Sequence, residues 1–128
     1  MKRDITTIED IQLLVNTFYG GVQNDSLIGP IFNNIIQDWT PHLEKMYTFW
    51  QTVLLGNHTY FGSPFPPHAK LPVQPEHFER WLFLWRSTVD MFFKGEVAEE
   101  AKWRGKAMAD MFMAKITYFR ERQTKPLI

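Results

Sequence analysis

The sequence predicts an all-α fold. Apolar residues recur every three or four positions through most of the 128 residues, the sign of helices that bury one face. No stretch alternates apolar and polar as a half-buried strand would, and prolines and capping residues cluster at the ends of the periodic runs. No internal repeat is visible. One domain covering 1–128 is expected, burying roughly two thirds of the surface that the unfolded chain would expose, with no second core.

The first helix is expected over roughly 7–23. Thr6-Thr7-Ile8-Glu9 offers a capping box, and Ile8, Ile11, Val15, Phe18, Tyr19 and Val22 follow at helical spacing. Gly20 and Gly21 weaken its last turn by about 1 kcal/mol each relative to alanine, and Asn24-Asp25-Ser26 supplies turn chemistry. Gly29-Pro30 opens a shorter piece, IFNNII. Thr40-Pro41 reads as the N-cap and first residue of a second long helix; its stripe is Leu43, Met46, Tyr47, Trp50, Val53 and Leu54, and Gly56 closes it. A third runs from about Pro75 to Lys94, with Phe78, Trp81, Leu82, Trp85 and Val89 on one face and Gly95 as its C-terminal cap. Ala101, Met108, Phe112, Ile116 and Phe119 mark a fourth, from about Glu96 to Arg122.

Composition excludes several classes of function. Fourteen Lys+Arg balance fourteen Asp+Glu, so there is no basic field for nucleic acid or an anionic membrane. The absence of cysteine removes disulfides, thiolate metal sites and catalytic thiols, and fits a reducing, intracellular setting. MKRDITTIED lacks the apolar core of a signal peptide, and no apolar run reaches the ~18 residues of a membrane span, so a cytoplasmic protein is expected. Phe, Tyr and Trp make up 16% of the chain, more than exclusion of water from so small a core requires. Such rings suit a cavity for a flat apolar ligand.

The connection from Asn57 to Gln74 is long for a compact helical domain. Five of the eight prolines fall at 64, 66, 67, 72 and 75 in or beside it. Proline lowers the entropy lost on ordering, so the segment is built to hold a shape. Within GSPFPPHAKLPV, Pro66 and Pro67 can start one helical turn and Pro72 can end it, presenting His68 on a stiff pedestal. Fixed orientation suits a metal ligand. Zinc is a poor match, since its structural sites take four Cys or His ligands. Haem iron asks for one proximal histidine and an apolar, aromatic slot. The plainer alternative is a histidine decorating a surface loop.

Three further residues place polar groups on apolar stripes. Tyr19 carries its hydroxyl toward the core, where it bonds either a backbone carbonyl or a ligand. Trp81 brings an indole N–H that needs an acceptor if buried, in the core or on a ligand. His42, one residue after Pro41, lies on the shoulder of its stripe; the positive end of the helix dipole favours a neutral ring there, able to swing at a cavity mouth or to stand exposed without consequence.

FYGGV, TPHLEKMYTFW, PFPPHAKLPV and FERWLFLW, in this order and spacing, together resemble the truncated haemoglobins, most closely group III. GPIFNNII adds to the resemblance, which covers nearly the whole chain. It implies a shortened globin with helices stacked two over two around haem b, with His68 as proximal iron ligand. It further implies that Tyr19, His42 and Trp81 face the bound ligand, while Phe32, Met46, Phe49 and Trp50 line the pocket.

The function so implied is binding of dioxygen or another diatomic ligand (NO, CO) at ferrous iron. Donors at Tyr19 and Trp81 would chiefly slow release. That disfavours oxygen transport and suits nitric oxide oxidation or peroxide handling, dependent on an external reductase. A monomer is expected. The rival readings are a cofactor-free helical interaction module and a helical sensor for another apolar ligand.

Overall fold

The computed structural model describes residues 1–60 and 72–124. His68, Lys70 and the prolines at 64, 66 and 67 lie outside the described residues, and so does the expected helical turn around them. Five helices follow one another: α1 (Ile8–Asn24), α2 (Gly29–Ile35), α3 (Trp39–Leu55), α4 (Pro75–Phe92) and α5 (Glu96–Thr124). Among the described residues there is no strand, only one parallel backbone pairing between Arg3 and Phe93. No helix among them is long and apolar enough to cross a membrane. The all-α class and its four long helices are therefore as the sequence predicts.

Helix α1 packs on α2, α3 and α4, while α4 packs on α5 and α3 touches α5. The pairs α1/α3 and α4/α5 are the two layers of a two-over-two sandwich. Between them lies a core built from the expected stripes, with Leu14, Val15, Phe18, Val22, Trp50, Trp85 and Val89 all buried. A smaller second cluster joins Val73, Phe112 and Ile116, flanked by Ile31 and Phe78. One core was expected from the sequence; there are two clusters because a slot separates them.

Three helix ends differ from the sequence reading, each because a carboxylate accepts from backbone N–H groups at or beside the helix end. Thr7, not Thr6, caps α1, and its reciprocal partner is Asp10. The Asp10 carboxylate also receives both terminal nitrogens of Arg3, at 2.8 and 2.5 Å, and the N–H of Thr6 at 2.9 Å. Burial alone would raise its pKa; the Arg3 hydrogen bonds and the backbone N–H groups outweigh that and lower it to about 2. At α3 the N-cap is Asp38, whose side chain accepts from the Thr40 N–H at 3.2 Å, so Thr40 and Pro41 fall inside the first turn. A carboxylate at the positive end of a helix is the stronger cap.

Gly95 does not cap α4, which ends at Phe92 with Phe93 in extended conformation. It lies ahead of α5 at φ 144°, where a Cβ would come within 2.5 Å of the Asp4 side chain. That carboxylate accepts from the N–H groups of Val97 and Ala98 at 2.9 and 2.8 Å, so the N-terminal arm caps α5 from the far end of the sequence. Gly56, at φ 73°, ends α3 in the left-handed conformation, as expected.

Candidate functional site

The slot between the two clusters is walled by Tyr19 from α1, Phe32 from α2, His42, Met46, Phe49 and Trp50 from α3, His77, Phe78 and Trp81 from α4, and Met108 and Phe112 from α5. Its atom-free space, open mouth included, is about 870 Å³.

Seven of the eight site residues read from the sequence line this one slot: Tyr19, Phe32, His42, Met46, Phe49, Trp50 and Trp81. The eighth, His68, lies outside the described residues. The convergence follows from helical period. Tyr19 sits four residues after Val15 on the buried face of α1, and Met46, Phe49 and Trp50 are successive inward positions on α3.

Tyr19 is only 5% exposed. Its ring meets Phe18 edge-on at 4.8 Å between centroids and His42 edge-on at 5.0 Å. Burial pushes its phenol well above the usual range, so the hydroxyl keeps its proton. Among the described residues that hydroxyl has no hydrogen-bond partner, and of the two fates open to it in the sequence, the backbone carbonyl is not seen. His42 has its Nε2 shut off from solvent, against both Tyr19 and Trp39, the latter at 5.6 Å.

The two tryptophans of α4 differ. Trp85 is fully buried and its Nε1–H donates to the Ala101 carbonyl at 2.8 Å. Trp81 lines the slot, and among the described residues its indole N–H has no acceptor. Core packing thus accounts for the first and not for the polar atom of the second.

Sequence reasoning missed Trp39 and His77. Trp39 packs on Tyr19 at 5.7 Å as well as on His42; its signal was the spacing of three residues to His42 on one helix. His77 reaches the slot from the first turn of α4, with Nδ1 accepting the Gln74 N–H at 2.8 Å. That bond leaves the proton of a neutral ring on Nε2. Tyr47, on the same α3 stripe, donates its hydroxyl to the Asn16 side-chain oxygen on α1.

The model of the bacterial-like globin family matches residues 4–116, most of the chain. The chain belongs to the bacterial-like globins. The group 3 truncated hemoglobin Ctb of Campylobacter jejuni is 35% identical over 117 residues, which cover 88% of this chain and 92% of that one. The crystal structure of the group III truncated hemoglobin from Campylobacter jejuni superposes with a TM-score of 0.82 at 34% identity, covering 91% of this chain and 95% of the other. The group III resemblance read from the sequence is borne out. Membership in a globin family carries haem binding and the small diatomic gases that haem iron holds.

The slot of this globin fits that cofactor. A planar macrocycle needs closely spaced apolar walls, and here aromatic and thioether side chains provide them. Polar groups come from only a few side chains, among them Tyr19, His42 and Trp81, two of which have hydrogen-bond donors to spare for a ligand inside the slot.

Proposed function

We propose that this protein holds haem b in the slot, with His68 as the residue that would supply the proximal ligand, and that Tyr19, His42 and Trp81 would face the bound dioxygen, nitric oxide or carbon monoxide. The observation that carries the reading is the pair of donors, the Tyr19 hydroxyl and the Trp81 N–H, brought to one apolar slot without a protein acceptor among the described residues. Phe32, Met46, Phe49 and Trp50 are the residues that would hold the macrocycle by its faces and edges.

Haem, when bound, supplies an iron able to hold a diatomic ligand and exchange electrons with it. Tyr19 presents a neutral O–H, since burial holds its proton in place; Trp81 presents an N–H that titrates nowhere near neutrality. Both favour a ligand on which negative charge develops, and in a water-poor slot each hydrogen bond to a charged acceptor contributes about 1.5–3 kcal/mol. His42 packs edge-on against Tyr19 and Trp39 in the slot wall, with its Nε2 shielded from solvent. Two such donors act chiefly on release.

Slow release suits turnover of the ligand more than its delivery. The reaction class is therefore nitric oxide oxidation or peroxide reduction, in a cytoplasmic monomer fed by a separate reductase. The first test is the absorption spectrum of the recombinant protein, which should show the intense porphyrin band. His68→Gly should lose haem on gel filtration and regain it with added imidazole. Equal haem retention by variant and parent would move the ligand elsewhere, and a colourless protein would end the reading.

A further inference from the structure

Three of the five tryptophans lie stacked. Trp50 of α3 sits on Trp85 of α4 with ring centroids 4.4 Å apart and planes 23° from parallel. Trp81, one turn earlier on α4, lies 6.1 Å from Trp85 with planes 15° apart. Trp50 and Trp81 line the slot, whereas Trp85 does not and is closed to solvent. The buried indole thus bridges the two that face the ligand space.

An indole gives up an electron more readily than most side chains, and stacked rings pass the vacancy between them. The stack does not treat its members equally. A positive charge on Trp85 meets the π systems of two stacked indoles, each attractive to a cation. Its N–H points at the Ala101 carbonyl oxygen at 2.8 Å, a hydrogen bond that strengthens when the donor becomes charged. Among the described residues, Trp50 and Trp81 each have only Trp85 as a stacked indole neighbour. A vacancy entering at the slot therefore settles on Trp85, and a carbonyl oxygen does not remove its proton.

We propose that Trp85 is an electron-donor site of this protein, drained through Trp50 and Trp81 when hydrogen peroxide reacts in the slot. The proposal rests on the haem reading above, haem serving only to relay electrons and ending as it began. Trp85 loses two electrons in succession; a water oxygen reaches the closed ring as the α4/α5 contact opens locally, and bonds to it as two protons leave. Those electrons and protons break the O–O bond of hydrogen peroxide and give two waters. The sum is one tryptophan and one peroxide converted to one hydroxytryptophan and one water.

The test uses the full chain loaded with haem, its loading read from the porphyrin band. One equivalent of hydrogen peroxide is added, catalase stops the reaction, and fragmentation of the peptides locates the added oxygen atom. Direct attack from solvent favours Trp103, which is 61% exposed, over Trp85, which is 0% exposed. The relay reverses that order: Trp85 should carry at least about tenfold more added oxygen than Trp103 in the loaded protein, and less than Trp103 in the haem-free chain. The unmodified sequence suffices, so no variant has to fold. Oxygen chiefly on Trp103 in the loaded protein would overturn the assignment alone; absence of the porphyrin band would overturn the haem reading and this assignment with it.

Discussion

Replacing Tyr19 by phenylalanine removes one oxygen atom from the slot and little else. The ring keeps its edge-on contacts with Phe18 at 4.8 Å and His42 at 5.0 Å. No protein group among the described residues loses a hydrogen bond, because none is bonded to the hydroxyl. The unfolding free energy should therefore move by no more than about 1 kcal/mol, in either direction. The bound ligand fares differently. Loss of a donor to a ligand bearing negative charge forfeits about 1.5–3 kcal/mol, which is roughly a 10- to 150-fold faster release of dioxygen if the association rate is unchanged. Flash photolysis of the ferrous carbon monoxide form in oxygenated buffer, with stopped-flow displacement, gives both rate constants. A dioxygen release rate within about twofold of the parent would refute Tyr19 as the donor. Loss of more than about 2 kcal/mol of stability would show instead that the hydroxyl is held by the protein.

Asp10→Asn should cost about 2 kcal/mol at neutral pH, since the wild-type carboxyl falls from 3.8 to about 2 on folding. A depressed carboxylate stabilises above its unfolded pKa and loses that contribution as pH falls through the folded value, so parent and variant should converge between about pH 4 and pH 2 in urea unfolding. Gly105→Ala places a Cβ 2.5 Å from Cδ1 of Trp85, a rigid ring already anchored to Ala101. Overpacking of about 1–3 kcal/mol outweighs the gain in helix propensity, and a raised thermal midpoint would show that the ring can shift. Gly21→Ala, with nothing within 4 Å of the new Cβ, should stabilise by roughly 0.5–1 kcal/mol in the same assay.

The long helices were legible because burial imposes its period on the sequence, and Ile11, Val15, Phe18 and Val22 show that period without interruption. Their ends were less so. Thr6 and Thr7 both precede an acidic residue at capping distance, and only the bonds of Asp10 to Arg3, Thr6 and Thr7 decide between them. Gly95 looked like the end of α4 because a glycine after an apolar run has that local meaning. Its actual constraint is Asp4, more than ninety residues away in sequence, which no local pattern encodes. His77 was hidden for the opposite reason: a polar residue in a first helical turn has an ordinary task there, and it performs that task on Gln74 while also lining the slot.

Trp81 and Trp85 mark the limit of what residue type and spacing reveal. Both are tryptophans on one stripe of α4, one turn apart, and both touch Phe18 edge-on, at 5.4 and 5.1 Å. What separates them is the chain opposite. Gly105 lets the α5 backbone approach Trp85 closely, and the Ala101 carbonyl there takes its N–H; Trp81 faces the slot instead, and its N–H is left for whatever enters. A donor without a protein acceptor on an apolar wall is costly unless a ligand or water meets it. The Tyr19 hydroxyl is in the same position, so two donors on different helices, each unexplained by packing, converge on one ligand-binding slot.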